Sequence, residues 1–477
     1  MKKIILVPLD SRPCNLKFPA KIAPSAGFEV VTPPAEFLGG FRMPGLPGKV
    51  IEWLESTAGN AEAAVISADM ICYGGLVESR KSEVALEEAV SRLSVVARLK
   101  NKYPGLKIYV HSVLMRLSIT ADSEENESLW KKIFEYSAKG PDAVPDDSIP
   151  KQVLDGYLSA RKRNHLVNEA CLALAASGSA DLVVISKEDC AEAGPHKNEE
   201  AALMAFVDTN SIAGRAKILN GADEIGACLL ARHILASRAS SPKIAVRYSF
   251  GKGRDISLYE DVPLDRVVSD HLDLVGATRV EPLKDADKVF FVHSFEGVQR
   301  DLVFSEQVAR DSDERHHLKN FCSEIVMMEE IGKRAFVADV FYANGSDSDF
   351  MEKLALLGDP KKLLSYAGWN TSANSVGSAL SSALIPAEDR FLFERFSEDI
   401  GYQAVCRKPL EAYLHKAGIS KFYLGPRAAE AEEFASKELK KWGDLFFPKI
   451  GIAKSPDIKV AFPWGRTFEA DCDIIFP

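Results

Sequence analysis

The chain has 477 residues with a formal charge of −9, 46% hydrophobic and 27% charged residues, the balance of an ordinary folded protein rather than a disordered one. Its length exceeds one small core and calls for a large barrel with additions or for two to three domains. The negative charge and dispersed basic residues exclude the clustered cationic face that a nucleic-acid partner needs, and no apolar run reaches membrane-spanning length.

The first ten residues, Met1 to Asp10, begin like a signal peptide, but Pro8 and Asp10 break the apolar run and no cleavage site follows. They are read as a first strand. From there, short β-branched runs alternate with longer amphipathic segments, the pattern of repeated βα units around a mostly parallel sheet. Strands are expected at Lys3–Leu9, Phe28–Thr32, Ala63–Ala68, Lys107–Ser112, Asp181–Ser186, Ala216–Asn220, Lys243–Ser249, Lys288–His293, Ala335–Val340 and Leu364–Gly368, with a further short one at Lys421–Leu424. Helical spacing is clearest at Val84–Lys100, Ile225–Ala236 and Leu318–Gly332. Gly140 to Pro150, with three prolines and three aspartates, reads as a surface loop inside a long insertion. Ala239 to Pro242 is either a linker or an αβ loop.

The eight cysteines are scattered without a C-x-x-C pair or zinc spacing, which fits reduced thiols and a cytoplasmic protein. Polar residues follow nearly every strand. Asp10 and Arg12 come after the first, Asp69 after the third, and His111 with Arg116 at the fourth. Asp189 and His196 follow the fifth, and Asp223 with Glu224 the sixth. Tyr248, Asp339 with Asn344, and Trp369 with Asn370 close later strands. A closed barrel brings every such corner to one mouth, so the expected fold is a (β/α)8-like barrel with additional α/β units. Residues 1–389 form its α/β region, and 390–477 a C-terminal helical cap. Two doubly wound parallel-sheet domains joined near 239–242 are the alternative.

Several long segments then resemble one known family. They are Pro8 to Pro13 (Pro-Leu-Asp-Ser-Arg-Pro), Asp69 to Arg80, Met115-Arg116 with Ala121 to Glu127, Gly221 to Glu224, and Tyr366 to Thr371. Together they are similar to the bacterial family catalogued as domain of unknown function 4127, over nearly the whole chain. The resemblance implies no function. The chain departs from the family's pattern at Lys187 to Glu192, where relatives carry two adjacent aspartates and a following proline, so no role is implied for Glu188. Locally, Gly221 to Ile225 is similar to the Gly-Gly-Asp-Glu-Val segment of substrate-assisted hexosaminidases. A barrel begun at Ala63 would put Asp223 and Glu224 after its fourth strand and Trp369 after its eighth, leaving the Asp10 corner outside.

The expectation is therefore a glycoside hydrolase acting on a small sugar, an N-acetyl-amino sugar being favoured by the Asp-Glu pair. Glu224 would protonate the leaving oxygen, Asp223 would hold a substrate amide, and Trp369 beside Asn370 would offer a sugar platform. Arg12 and Arg116 could grip an acidic group, although Asp10 and Arg12 could equally form a structural ion pair across their turn. Asp10, Asp69, His111, Glu188, Asp189, His196 and His293 leave room for a divalent metal without showing ligand spacing, so no metal or other cofactor is required. A non-catalytic sugar binder with two lobes hinged near 239–242 would use the same corners. Serine-hydrolase chemistry is set aside because no G-x-S-x-G elbow is present. The expected partner is a small carbohydrate, with neither nucleic acid nor membrane, and the oligomeric state is open.

Overall fold

The computed structural model describes residues 1–81, 83–140, 143–385 and 389–476. The chain forms two compact units, residues 1–233 with 259–261, and residues 234–258 with 262–477. Helix Ile225–Ser237 carries the chain from the first to the second.

The first unit is built on six parallel strands, β1 (Lys2–Val7), β2 (Phe28–Val31), β3 (Ala63–Ser67), β4 (Lys107–Leu114), β5 (Leu182–Lys187) and β6 (Ala216–Asn220). Helices cover such sheets on both faces, so their strands are continuous apolar runs rather than alternating ones, and every residue of β3 and β5 is buried. The strand order is β2-β1-β3-β4-β5-β6. The chain winds outward one way from β1 to β2, then reverses through β3. In such folds the crevice beyond the carboxyl ends of the strands at the reversal is where ligands bind.

The second unit repeats that winding. Its sheet contains β7 (Lys243–Tyr248), β8 (Thr278–Arg279), β9 (Lys288–His293), β10 (Arg334–Asp339) and β11 (Tyr366–Ala367), in the order β8-β7-β9-β10-β11. Its reversal lies between β7 and β9, whose register pairs Tyr248 with Val292. Residues beyond Arg390 add helices Arg407–Lys416 and Ala428–Lys449 and an antiparallel hairpin, Asp457–Ala461 with Asp471–Ile475. Leu439, Phe447 and Ile458 from this part share one buried cluster with Phe291 and Val337 of the sheet.

The ten strands expected from apolar runs all form, with boundaries within two residues of those expected. They do not pair as one eight-stranded ring. Among the described residues β6 and β7 do not pair with each other, and the strands separate into sheets of six and five. Polar corners on every strand are thus no signature of closure, because two switch points supply as many as one barrel mouth. Lys421–Leu424 is not a strand; Ser420 and Tyr423 make only an isolated bridge before the turn Gly425–Arg427. Of the Gly140–Pro150 loop, Pro141 and Asp142 lie outside the described residues, and the remainder has neither helix nor strand. Among the described residues no helix is long and apolar enough to cross a membrane.

Candidate functional site

The carboxyl edge of the first sheet is charged and buried. After β1 the chain turns through Asp10, and Pro13 opens helix Pro13–Ile22, holding Arg12 in the extended backbone that precedes a proline. The Arg12 guanidinium donates to Asp10 Oδ2 at 2.7 Å and to Asp223 Oδ2 at 3.0 Å. Asn15 Nδ2 also reaches both carboxylates, at 2.9 and 3.0 Å. The ion pair across the turn is present, but the same arginine also ties β1 to the corner after β6. Burial, opposed by Arg12 and reinforced by Asp10, raises the Asp223 carboxyl to about 6.

That corner is a sharp one. Gly221 has φ 131°, and a methyl group there would overlap the Glu224 carboxylate, which folds back over it. Glu224 Oε2 accepts the Ala222 amide at 3.0 Å. Glu224 thus folds back on its own corner, with Oε2 engaged by the backbone of the turn that carries it. Asp223, gripped by Arg12 and Asn15, is likewise committed within the protein.

A carboxyl at this edge with the property an acid requires is Asp69, the second residue of helix Ala68–Tyr73 after β3. Ser67 caps this short helix at the Met70 amide, and Asp69 Oδ2 accepts the Val113 amide of β4 at 3.0 Å. Burial pushes the Asp69 carboxyl up to about 7, against the Val113 bond and with the help of the charge on Glu188. Glu188 follows β5 and is ion-paired through Oε1 with Arg80, which also donates to Thr120 Oγ1 at 2.9 Å. Its other oxygen, Oε2, is buried without a hydrogen-bond partner. The charge on Glu188 is also felt by Asp223, so carboxylates from the corners after β1, β3, β5 and β6 form one electrostatic cluster.

Helix Lys151–Ala176, which the sequence left as part of an insertion, fixes this edge. Arg163 donates to the Lys81 and Val84 carbonyls at 2.7 and 3.0 Å, Asn164 to Ser79 at 2.8 Å, and Arg161 to Met115 at 2.7 Å. Its inward face mixes Arg161, Arg163, Asn164 and Asn168, the first three of which bond loop carbonyls, with the apolar Val167, Cys171, Leu172 and Ala175. That is why apolar spacing did not reveal it.

The remaining expected residues of this unit have structural partners. Arg116 pairs with Asp189, so both arginines proposed to grip an acidic substrate already face carboxylates of this chain. His111 shares a 2.8 Å hydrogen bond with Ser186 Oγ, and burial lowers it to about 3, which keeps it neutral. Among the described residues, Cys190, His196 and Asp261 are the group whose possible metal-ligating atoms lie within 4.8 Å of one another. Asp261, however, accepts Lys187 at 2.8 Å and Asn220 at 2.9 Å, and also pairs with Lys197. Two ammonium groups on one carboxylate oppose a divalent cation there.

The later corners belong to the second unit. Tyr248 donates to Asp265 at 2.8 Å, and Asn344, with φ 60°, to Asp301 at 3.0 Å. Asp339 accepts Tyr366 Oη and the Asp347 amide, both at 2.8 Å, and burial together with the Asp347 charge raises its carboxyl well above the usual range. Trp369 is 6% exposed, with its indole N–H toward Ser378 Oγ at 3.4 Å, and the Asn370 carbonyl accepts the Asn344 amide. A buried indole presents no open face, so the sugar platform expected at Trp369 is not available. Sequence reasoning missed Asn15, Arg80, Lys187 and Asp261 as partners, and named Glu188 only among groups that could hold a divalent metal. Arg80 ends the Asp69 motif and Glu188 directly follows a strand, and those positions were the available signal.

No curated protein matches the chain. Among solved structures it is similar to the carboxyl transferase domain of Rhizobium etli pyruvate carboxylase with pyruvate, at 11% identity and a TM-score of 0.20, over 91% of this chain and 56% of that one. The complete multifunctional pyruvate carboxylase from Rhizobium etli gives 10% identity and a TM-score of 0.21, over 92% of this chain and 31% of that one. The chain thus spans about half the length of that transferase domain, and likenesses at such scores carry no argument. A family model described as protein of unknown function (DUF4127) matches residues 4–473, and the chain belongs to that family.

Proposed function

We propose that the chain is a hydrolase of small glycosides whose acid–base pair is Asp69 and Glu188 at the carboxyl edge of the first sheet. One observation carries this reading: at the corner after β3, beside the strand reversal, burial lifts the Asp69 carboxyl far above the usual carboxylate range, and the charge on Glu188 adds to that rise. Asp69 is raised to about 7, while Glu188 faces the fixed charge of Arg80. A protonated acid beside a charged carboxylate is the pairing that glycosidic cleavage uses. Asp69 supplies a proton to the leaving oxygen, and Glu188, through its unpartnered Oε2, stabilises or attacks the positive centre. Asp10, Arg12, Asn15 and Asp223 act as the rigid polar wall against which sugar hydroxyls are placed. The preference for an N-acetyl-amino sugar lapses with the commitment of Asp223 and Glu224 to the protein. Eight free, buried thiols suit a reducing cytoplasm.

A panel of nitrophenyl glycosides tests the reading. Turnover should fall about 10²–10⁴-fold in Asp69→Asn, the usual worth of a general acid, and survive chelation. The acidic limb should persist and activity should decline as pH rises past about 7, where Asp69 loses its proton. Turnover unchanged in Asp69→Asn would sink the assignment.

A further inference from the structure

The reversal point of the second sheet carries a different set of groups. Ser249 directly follows β7 and His293 ends β9, so the two flank the crevice where this winding places ligands. Ser249 Oγ lies 2.9 Å from His293 Nδ1, and His293 Nε2 lies 2.7 Å from Asp347 Oδ2. Asp347 is in turn paired with Arg310. All four side chains are buried, Ser249 being 4% exposed, while the corner residues Phe250 and Gly251 are only half-buried. The turn is tight, with Gly251 at φ 59° and Lys252 at φ 55°.

The partners fix the direction of these bonds. Burial works against charge on Asp347, but the His293 hydrogen bond and the Arg310 guanidinium outweigh it and hold its carboxyl below the usual range. A carboxylate can only accept, so His293 carries a proton on Nε2. Burial lowers the affinity of His293 for a second proton despite Asp347, which leaves Nδ1 bare. Nδ1 must then accept, and the hydroxyl proton of Ser249 is its donor. The Ser294 carbonyl, at 3.1 Å, is the more distant competitor for that proton. The Ser294 amide donates to the same Ser249 Oγ at 2.8 Å, which favours negative charge on it. Phe341 and Phe350 stack on the imidazole with centroids at 5.1 and 4.4 Å and exclude water from it.

We propose that Ser249, His293 and Asp347 form a nucleophile, base and anchor that give the second unit an ester-cleaving serine, independent of the carboxylate site. The ring nitrogens exchange roles relative to the common serine-hydrolase arrangement, but the polarity is the same. Ser249 Oγ attacks the acyl carbon while its proton passes to His293 Nδ1. The bond from the acyl carbon to the alkoxy oxygen breaks, that oxygen takes the proton, and water then cleaves the acyl-serine, giving acid and free Ser249. A merely structural network would pin β7 to β9 with the same distances and would have no covalent reactivity.

The full chain is incubated with a fluorophosphonate, and intact mass and peptide mapping are read. Ser249 Oγ should bond to phosphorus with loss of fluoride, giving one adduct on Ser249. The adduct should be missing in Ser249→Ala and form at least tenfold more slowly in Asp347→Asn, with near-unchanged circular dichroism in Ser249→Ala. Wild-type protein left unmodified at Ser249 overturns the proposal, and so does a rate in folded Asp347→Asn equal to that of the wild type. If Asp347→Asn does not fold, the wild-type adduct alone decides.

Discussion

The two units share one winding and fill its switch point in opposite ways. In the first, carboxylates crowd the edge, and burial, with neighbouring carboxylates adding to it, pushes Asp69 up to about 7 and Asp223 up to about 6. In the second, Asp347 is held charged by His293 and Arg310, and the proton affinity of the neighbouring imidazole is lowered by burial. The backbone plan decides where polar groups gather. Burial, set against the charges and hydrogen bonds fixed beside each carboxyl, decides which of them keeps a proton.

The largest effect that separates the two should come from their arginines. Arg12→Met strands two buried carboxylates, Asp10 and Asp223, and should cost about 3–5 kcal/mol in urea unfolding. Arg310→Met leaves Asp347 still bonded to His293, so its loss should be smaller than that of Arg12→Met. Equal losses would mean that the first cluster is not the more strained. Next in size, Gly221→Ala forces a side chain into φ 131° and against Glu224, and should cost about 1–3 kcal/mol, read as a lower urea midpoint.

A pH series sharpens the comparison further. The ordinary Asp carboxyl titrates near 3.8 and that of folded Asp69 near 7, so between these values the folded chain holds a proton that the unfolded chain has lost. Stability from this group is complete below about 4 and is lost as pH rises to about 7. The difference between wild type and Asp69→Asn in urea unfolding should therefore shift toward the variant across that window. A flat difference would place Asp69 among ordinary surface carboxyls. Smallest of all, Arg98→Ala breaks an exposed pair with Glu55 and should change stability by about 0.5 kcal/mol or less.

The strands were legible because parallel strands covered on both faces must be apolar throughout, and β6 and β9 were placed to the residue. Pairing was not legible, since an apolar run does not say which neighbour it meets; one barrel was the first reading and two doubly wound sheets the alternative, and the strands pair as two sheets. Helix Lys151–Ala176 was missed because its buried face holds Arg161, Arg163, Asn164 and Asn168. The importance of Asp10, Arg12 and Asp69 could be read from their place after strands. What could not be read was that Arg12 spans to Asp223 or that Glu224 bends back on its own corner. Those facts depend on distances between residues about two hundred positions apart, or on a single backbone angle.

The proton on Asp69 is open to direct observation. Infrared difference spectra of protein labelled with ¹³C-carboxyl aspartate, recorded against pH for wild type and Asp69→Asn, isolate its protonated carbonyl band. A band that disappears with a midpoint near 7 in the wild type and is missing from the variant is the predicted result. A carboxyl at position 69 already ionised at pH 5 would contradict the account.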